Sequence, residues 1–133
     1  MTDIDDETRL RLARGVMNIF EQWNIALDDQ VALLGLPDGT RKRSLHRYKE
    51  NTPLPDDPKV MERVEHLIGI DDALGTYFPN SLMARKRWLH THHRQFTKKT
   101  PLQAMVNDGV SGLIRVRAHL DCTYAWDLTG SKG

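Results

Sequence analysis

Apolar residues along this chain recur at the three- and four-residue intervals of α-helices. In the first segment, Leu10, Met17, Phe20 and Trp23 fall on one side of a helix of about residues 6–23, and further apolar residues broaden that side. No stretch of useful length alternates apolar and polar residues, as a half-buried strand would. The pattern therefore predicts an all-α fold.

Caps and turns divide the rest of the pattern into further helices. Gly35 is placed to end one helix and Ser81 to begin another, because glycine closes helices and serine caps their N-termini. A turn at Pro37–Thr40 and the prolines from Pro53 to Pro58 separate the elements in between. The helices predicted after the first cover about residues 27–34, 41–49, 59–78 and 82–91.

The clearest helix signals lie in the segment Phe96–Asp121. Thr100 and Gln103 have the spacing of a capping box, and Pro101 fits the first helical position, where its missing N–H costs nothing. Gly109 is placed to end this helix. Two helices without a catalytic constellation indicate recognition rather than chemistry. The apolar positions of the second helix are Leu113, Val116, Leu120 and Tyr124.

The composition limits the chain to a small globular protein. It has 133 residues, of which 28% are charged and 39% apolar, enough for one core or two small helical layers. No apolar run is long enough to cross a bilayer, and the acidic N-terminus lacks the apolar core of a signal peptide. The single cysteine, Cys122, excludes an internal disulfide and a cysteine-based metal site. We expect a cytoplasmic protein.

The net charge of +1 hides a strong separation of charges. Acids outnumber bases in residues 1–40, whereas residues 41–50 and 85–99 form two basic islands. Local charge matters most for binding nucleic acid, because salt screens phosphate contacts beyond about 10 Å. For the second island, a solvated helix face is the alternative. The bases of that island are Arg85, Lys86, Arg87, Arg94, Lys98 and Lys99.

The second and third predicted helices, joined by a turn, resemble a helix-turn-helix, whose second helix enters the major groove of DNA. Leu45 and Tyr48 would hold one face of the third helix in the core. The basic residues could then reach phosphates, and residues near the helix start could donate to base edges. An ordinary basic helix facing solvent is the alternative. The predicted DNA-binding residues are Arg41, Lys42, Arg43, Ser44, Arg47 and Lys49.

Signs of catalysis or of a bound metal are absent from the sequence. It shows no nucleophile beside a base, no pair of catalytic carboxylates and no glycine loop for phosphates. His90, His92 and His93 lack the helical spacing and distant ligands of a zinc site, so a polar surface cluster is the better interpretation. We therefore predict a protein that is not an enzyme and has no cofactor.

Several short motifs follow one another in an order that resembles the antitoxins of the Xre/MbcA/ParS type. They extend from about Trp23 to Asp121, so the resemblance covers most of the chain, and their order and spacing carry it. The motifs are Leu33-Leu34-Gly35-Leu36, Ser44-Leu45-His46-Arg47-Tyr48, Val64–Ile70, Ala73-Leu74, Tyr77-Phe78-Pro79, Arg87-Trp88-Leu89, Phe96, Thr100-Pro101-Leu102 and Gly112–Leu120.

The resemblance implies an antitoxin that neutralises a RES-domain toxin. Such toxins consume NAD or transfer ADP-ribose, and the antitoxin blocks their active site and commonly represses its own operon. An Xre-like DNA-binding part, residues 1–55, would precede a helical toxin-binding domain, residues 56–133. Ser44, Arg47 and Tyr48 match the recognition-helix motif. The toxin-binding motif is matched by Trp88, Phe96, Thr100, Pro101, Leu102, Leu113, Val116, Arg117 and Leu120.

The chain also departs from the family pattern. Thr97-Lys98-Lys99 stands where the family often has glycines, so we do not carry over the shape of that loop. His92-His93-Arg94 replaces an expected Asn-Pro, and Tyr48 stands where a tryptophan is more usual.

By periodicity, the apolar residues of the toxin-binding motif belong mainly to the core, so the contact with the toxin needs other residues. Arg117 either pairs with Asp121, four residues on, or faces a partner. Aromatic residues of the C-terminal tail are typical of binding hot spots, with packing on the protein's own first helix as the alternative. The predicted toxin-binding residues are Trp88, Phe96, Lys98, Lys99, Arg117, Tyr124 and Trp126.

The main competing function is a stand-alone helix-turn-helix regulator, whose C-terminal part dimerises or senses a signal. A neighbouring reading frame for a RES-like toxin would separate the two functions. Binding to operator DNA also predicts a homodimer, or a higher hetero-oligomer with the toxin, because one small module buries little surface.

Overall fold

We describe a computed structural model of the chain, covering the backbone of residues 5–129 and the side chains of residues 5–121. This part is helical and has no strand, which confirms the predicted all-α fold. None of its helices is both long and apolar enough to cross a lipid bilayer. The helices are α1 (Asp6–Trp23), α2 (Leu27–Leu34), α3 (Lys42–Glu50), α4 (Pro58–Tyr77), α5 (Leu82–Leu89) and α6 (Pro101–Thr129), with a short 3₁₀ turn at Arg94–Phe96.

Local capping explains where several of these helices begin and end. The Ser81 hydroxyl accepts from the Ala84 N–H at 3.0 Å, and Gly35 closes α2 with a φ of 69°, as the sequence predicts. Asp57 accepts from the Lys59 N–H at 2.9 Å and so caps α4. These contacts satisfy end groups that lack a partner within the helix.

The chain divides into two compact units, Met1–Glu65 and His66–Gly133, with the boundary inside α4. Each unit has its own set of buried apolar residues. The assignment of DNA binding to residues 1–55 and of toxin binding to residues 56–133 stays a prediction. In the first unit the largest buried side chains are Phe20, Trp23, Leu33, Leu34, Leu45 and Leu54; in the second they are Leu67, Ile70, Leu74, Leu89, Met105 and Leu113.

In the second unit, α6 begins as predicted. The Gln103 N–H donates to the Thr100 hydroxyl at 3.0 Å, and the Thr100 N–H donates to the Gln103 side chain at 2.9 Å, which completes the capping box. Pro101 is the first helical residue. Two of the backbone donors at this end of α6 are thereby satisfied.

A break at Gly109 divides α6 into two segments. Gly109 has a φ of 60° and a ψ of −140°, a conformation that is essentially restricted to glycine. The helix resumes at Val110, three residues before Leu113, the first apolar position predicted for the second helix. Across the break, Arg115 forms an ion pair with Asp108. The predicted break is confirmed, and the four motif residues Leu102, Leu113, Val116 and Leu120 are buried as expected.

Candidate functional site

The basic helix α3 has one buried and one exposed face. Leu45 is 1% exposed, and α1 packs against this helix. Arg43 and Arg47 lie two residues on either side of Leu45, so at about 100° per residue they project from the opposite face. Both side chains are exposed. The sequence therefore produces the division of faces that a docking helix needs.

The N-terminus of α3 carries positive charge where a helix dipole favours negative charge. Arg41 is the N-cap residue, makes no side-chain capping bond, and is followed by Lys42 and Arg43 without an acid in the first turn. All three side chains are exposed. This arrangement is unfavourable for an isolated helix and suits the approach of an anion.

The other predicted DNA-binding residues differ in their surroundings. Lys49 Nζ pairs with Glu21 Oε2 of α1 at 2.6 Å, so its charge is partly used within the protein. Lys42 and Lys49 both border a groove of about 280 Å³ formed by α1, α2 and α3. Ser44 is half-buried. Arg43 and Arg47, in contrast, have their charged ends free to meet phosphates or bases.

Two arginines of α1 fix the segment that follows α3. Arg14 Nε donates to the Glu50 carbonyl at 2.9 Å and so satisfies an acceptor at the C-terminus of α3. Arg9 Nη1 donates to the Leu54 carbonyl at 2.8 Å. These contacts hold the end of α3 against α1 and thereby orient its exposed face.

In the second unit, four rings from α5, the 3₁₀ turn and α6 form an aromatic cluster. Trp88 lies between His93, with ring centroids 5.1 Å apart, and His119, at 6.2 Å and nearly parallel. Phe96 packs edge-on against Trp88 at 6.3 Å and against His119 at 5.6 Å. Trp88 is half-buried, whereas Phe96 is only 5% exposed. Phe96 therefore supports the cluster from the interior of the protein, whereas part of Trp88 is open to solvent.

The sequence interpretation missed His119 and assigned His93 to a polar surface cluster, whereas His93 is half-buried against the rings of Trp88 and Phe96. His119 follows Val116 by three residues, so helical spacing alone could have placed it beside the buried stripe of α6. Partial burial, together with the nearby His93, lowers the pKa of His119 below its ordinary value. His93 Nε2 also lies 3.2 Å from the Trp88 carbonyl.

The loop after Phe96 adopts a conformation that glycine favours, although it contains none. Thr97 has a φ of 58° and Lys98 a φ of 65°, both in the left-handed region. The Lys99 N–H donates to the Phe96 carbonyl at 3.0 Å and closes the turn. The Lys98 and Lys99 side chains are exposed. The family that the sequence resembles often has glycines at these positions, whereas this chain places two exposed lysines there.

Arg117 contacts His66 more closely than the carboxylate expected from spacing. Its Nη1 lies 3.2 Å from His66 Nδ1, whereas its Nε lies 4.0 Å from Asp121 Oδ2. The side chain is 31% exposed. Arg117, Asp121 and residues of α4 that include Gly69 line a cleft of about 300 Å³. Arg117 is thus held by α4 and still open to solvent.

Arg85, the first cation of the second basic island, is bonded within the protein. Arg85 Nε donates to the Phe78 carbonyl at 2.9 Å, and Nη2 donates to the Pro79 carbonyl at 3.2 Å. Arg85 therefore stabilises the connection between α4 and α5.

Within residues 5–121, no three His, Cys, Asp or Glu side chains lie close enough together to hold a metal ion. Tyr124 and Trp126, predicted to contact the toxin, lie outside the described side chains.

Comparison with known proteins identifies the second unit. Residues 73–123 match the family described as antitoxin Xre/MbcA/ParS C-terminal toxin-binding domain. The chain is 31% identical over 103 residues to the uncharacterized protein y4oB of Sinorhizobium fredii (strain NBRC 101917 / NGR234), an alignment that covers 77% of this chain and 76% of the relative. No solved structure gives a significant match. The chain therefore belongs to the Xre/MbcA/ParS antitoxins of toxin–antitoxin systems and carries their C-terminal toxin-binding domain.

Proposed function

We propose that this antitoxin neutralises a RES-domain toxin by binding it directly and obstructing its active site. The observation that carries the proposal is the toxin-binding domain match over residues 73–123, which covers α5, the aromatic cluster and most of α6. The choice of a RES-domain partner rests on the order of motifs from Trp23 to Asp121. Both chemistries of such toxins remove NAD, so obstruction of the NAD cleft would stop either one.

The toxin-facing surface would combine cations with exposed apolar area. Lys98 and Lys99 are exposed, and Arg117 is open to solvent on the later part of α6. Ile114, one turn before Arg117, is 46% exposed and adds apolar area on the same side of the helix. Arginine beside apolar surface is a frequent combination in binding hot spots. Phe96 would support this surface from within.

Co-expression tests the toxin partner. The neighbouring RES-domain protein should arrest growth when expressed alone and be neutral when expressed with this chain. A truncation after Asp121 tests whether the tail obstructs the cleft: we expect it to release toxin activity while DNA binding persists. Full neutralisation by the truncated chain would show that the described part of the domain is sufficient and would refute the role of the tail.

We further propose that α3 binds operator DNA and that the antitoxin represses its own operon. Arg43 and Arg47 would read bases or phosphates from the exposed face of α3, while Arg41 and Lys42 would meet phosphates at its N-terminus. Binding as a homodimer, or as a hetero-oligomer with the toxin, would supply the surface that one module lacks. A cytoplasmic location belongs to the same proposal, because operator DNA is found there.

Charge reversal tests the DNA-binding face. The double variant Arg43→Glu/Arg47→Glu should abolish the mobility shift of the operator fragment and leave toxin binding intact. Arg11→Glu, an exposed arginine on α1, is the matched control and should keep most of the shift. Retained operator binding by the double variant would refute the assignment of α3.

A further inference from the structure

The guanidinium of Arg117, one of the predicted toxin-binding residues, is held by α4. Its Nη1 is within hydrogen-bond distance of His66 Nδ1, at 3.2 Å. Arginine has only donors, so the imidazole nitrogen must be the acceptor in this contact. His66 therefore holds the cation without neutralising it.

Gly69, one turn after His66 on α4, provides the space for Arg117. A Cβ atom at Gly69 would overlap the guanidinium carbon and Nε of Arg117. The guanidinium of Arg117 therefore packs against α4 at Gly69, where the helix has no side chain. Gly75, further along the same helix, is different, because a Cβ there would be 3.8 Å from Arg85, an ordinary contact.

These contacts leave hydrogen-bonding capacity on Arg117. Among the residues that the structure describes, its ion pair with Asp121, at 4.0 Å, is too long for a hydrogen bond, and Nη2 has no polar partner. The side chain is 31% exposed, so most of it has lost water. A partly desolvated guanidinium gains most from an acceptor supplied by a binding partner.

The charges around the cleft indicate which acceptor fits. Asp72 and Asp121 line the same cleft of about 300 Å³ as Arg117. A carboxylate from a partner would approach these two acids and be repelled by them. A neutral carbonyl oxygen would accept from Arg117 without that repulsion, and its peptide N–H could donate to either acid.

We propose that Gly69 and His66 are positioning residues for toxin recognition: they hold Arg117 in this cleft, where it donates to a main-chain carbonyl of the toxin. The inference rests on the proposed binding of the RES-domain toxin. Loss of hydrogen bonds from a charged donor corresponds to a weakening of about 10- to 100-fold. We expect Arg117→Ala to weaken toxin binding by that factor.

A double-mutant cycle tests the positioning role, with the dissociation constant measured by titration calorimetry against a catalytically inactive form of the neighbouring RES-domain toxin. Gly69→Ala should keep the fold, since the displaced group is the end of a flexible side chain, and should weaken binding about tenfold. In an Arg117→Ala background the same change should have an effect of less than about twofold. Gly75→Ala, the matched control, should bind as the wild type does.

Equal losses from Gly69→Ala in both backgrounds would overturn the positioning role. His66→Gln retains an acceptor and should bind nearly normally, whereas His66→Phe should bind several-fold more weakly; equal binding by both would also contradict the inference. Measurements at low and high salt identify the acceptor. If Arg117 donates to a neutral carbonyl, Arg117→Ala should reduce the affinity for the toxin by the same factor at both salt concentrations. A loss that shrinks at high salt would indicate a carboxylate instead. Failure of the wild type to bind the toxin would refute the proposed function itself.

Discussion

The carbonyl oxygen of Ala104 faces Gly112 across the break at Gly109, with no room for a side chain between them: a Cβ at Gly112 would overlap that oxygen. The two segments of α6 are therefore held close together at this point. Because the obstructing atom belongs to the backbone, it cannot move aside as a side chain could.

We predict that Gly112→Ala destabilises the protein by about 1–3 kcal/mol, as other overpacking substitutions do. Gly15→Ala is the control, because a Cβ at Gly15 meets nothing within 4 Å. At this exposed position inside α1 the change should instead stabilise the protein by up to about 1 kcal/mol. Chemical denaturation measures both. Equal or greater stability of Gly112→Ala would contradict the contact.

The turn after Phe96 stores backbone strain. A left-handed conformation costs a residue with a side chain about 1–2 kcal/mol, and glycine loses about 0.5–1 kcal/mol in chain entropy. Thr97→Gly should therefore stabilise the protein slightly. Gln95→Gly, in the preceding 3₁₀ turn with ordinary φ, should destabilise it. If the thermal melting points of both variants fell alike, strain at Thr97 would be ruled out.

The lowered pKa of His119 predicts a pH dependence of stability. Burial and the nearby His93 disfavour the charged imidazole in the folded protein, so the unfolded chain binds this proton more readily. Neutral His119 therefore makes its full contribution to the free energy of unfolding above the pKa of the unfolded chain, about 6.5. This contribution is lost as the pH falls toward the lower pKa of the folded protein. His119→Gln should reduce this acid sensitivity, measured as melting temperature against pH. His92→Gln, at an exposed position, should leave it unchanged; an unaltered profile in His119→Gln would contradict the assignment.

The ion pair between Lys49 and Glu21 predicts that the basic residues of α3 contribute unequally to operator binding. Lys49 is engaged with Glu21, so Lys49→Ala should weaken operator binding less than Arg43→Ala does. Arg43→Ala should also lower the slope of log affinity against log salt by about 1, as expected for one phosphate contact. Glu21→Gln should strengthen binding by releasing Lys49. Mobility shifts at several salt concentrations measure these effects, and weaker binding by Glu21→Gln would argue against them.

The sequence predicted those parts of the fold that depend on neighbouring residues. The capping box of Thr100 and Gln103 and the break at Gly109 follow from residues within one or two helical turns. Such signals depend on backbone sterics and on local hydrogen bonds, so they need no tertiary context. The positive φ of Thr97 was not predicted, because neither threonine nor lysine indicates it.

Contacts between distant segments were not predictable in the same way. The helical spacing predicted Asp121 as the partner of Arg117. In the structure, His66, 51 residues away in the sequence, lies closer to the guanidinium than the Asp121 carboxylate does. The space at Gly69 has no sequence signal, because an isolated glycine in a helix does not indicate what crosses it. Phe96, predicted at the toxin surface, is buried by Trp88 and His119 from other helices. Only the packing of α4, α5 and α6 reveals these relationships.

The most direct test of the account is the rate of NAD loss catalysed by the neighbouring RES-domain protein, measured while this chain is added. NAD consumption should stop once the antitoxin saturates the toxin, and Arg43→Glu/Arg47→Glu should inhibit the toxin as well as the wild type does. Undiminished NAD consumption in excess antitoxin, without a complex on gel filtration, would contradict it.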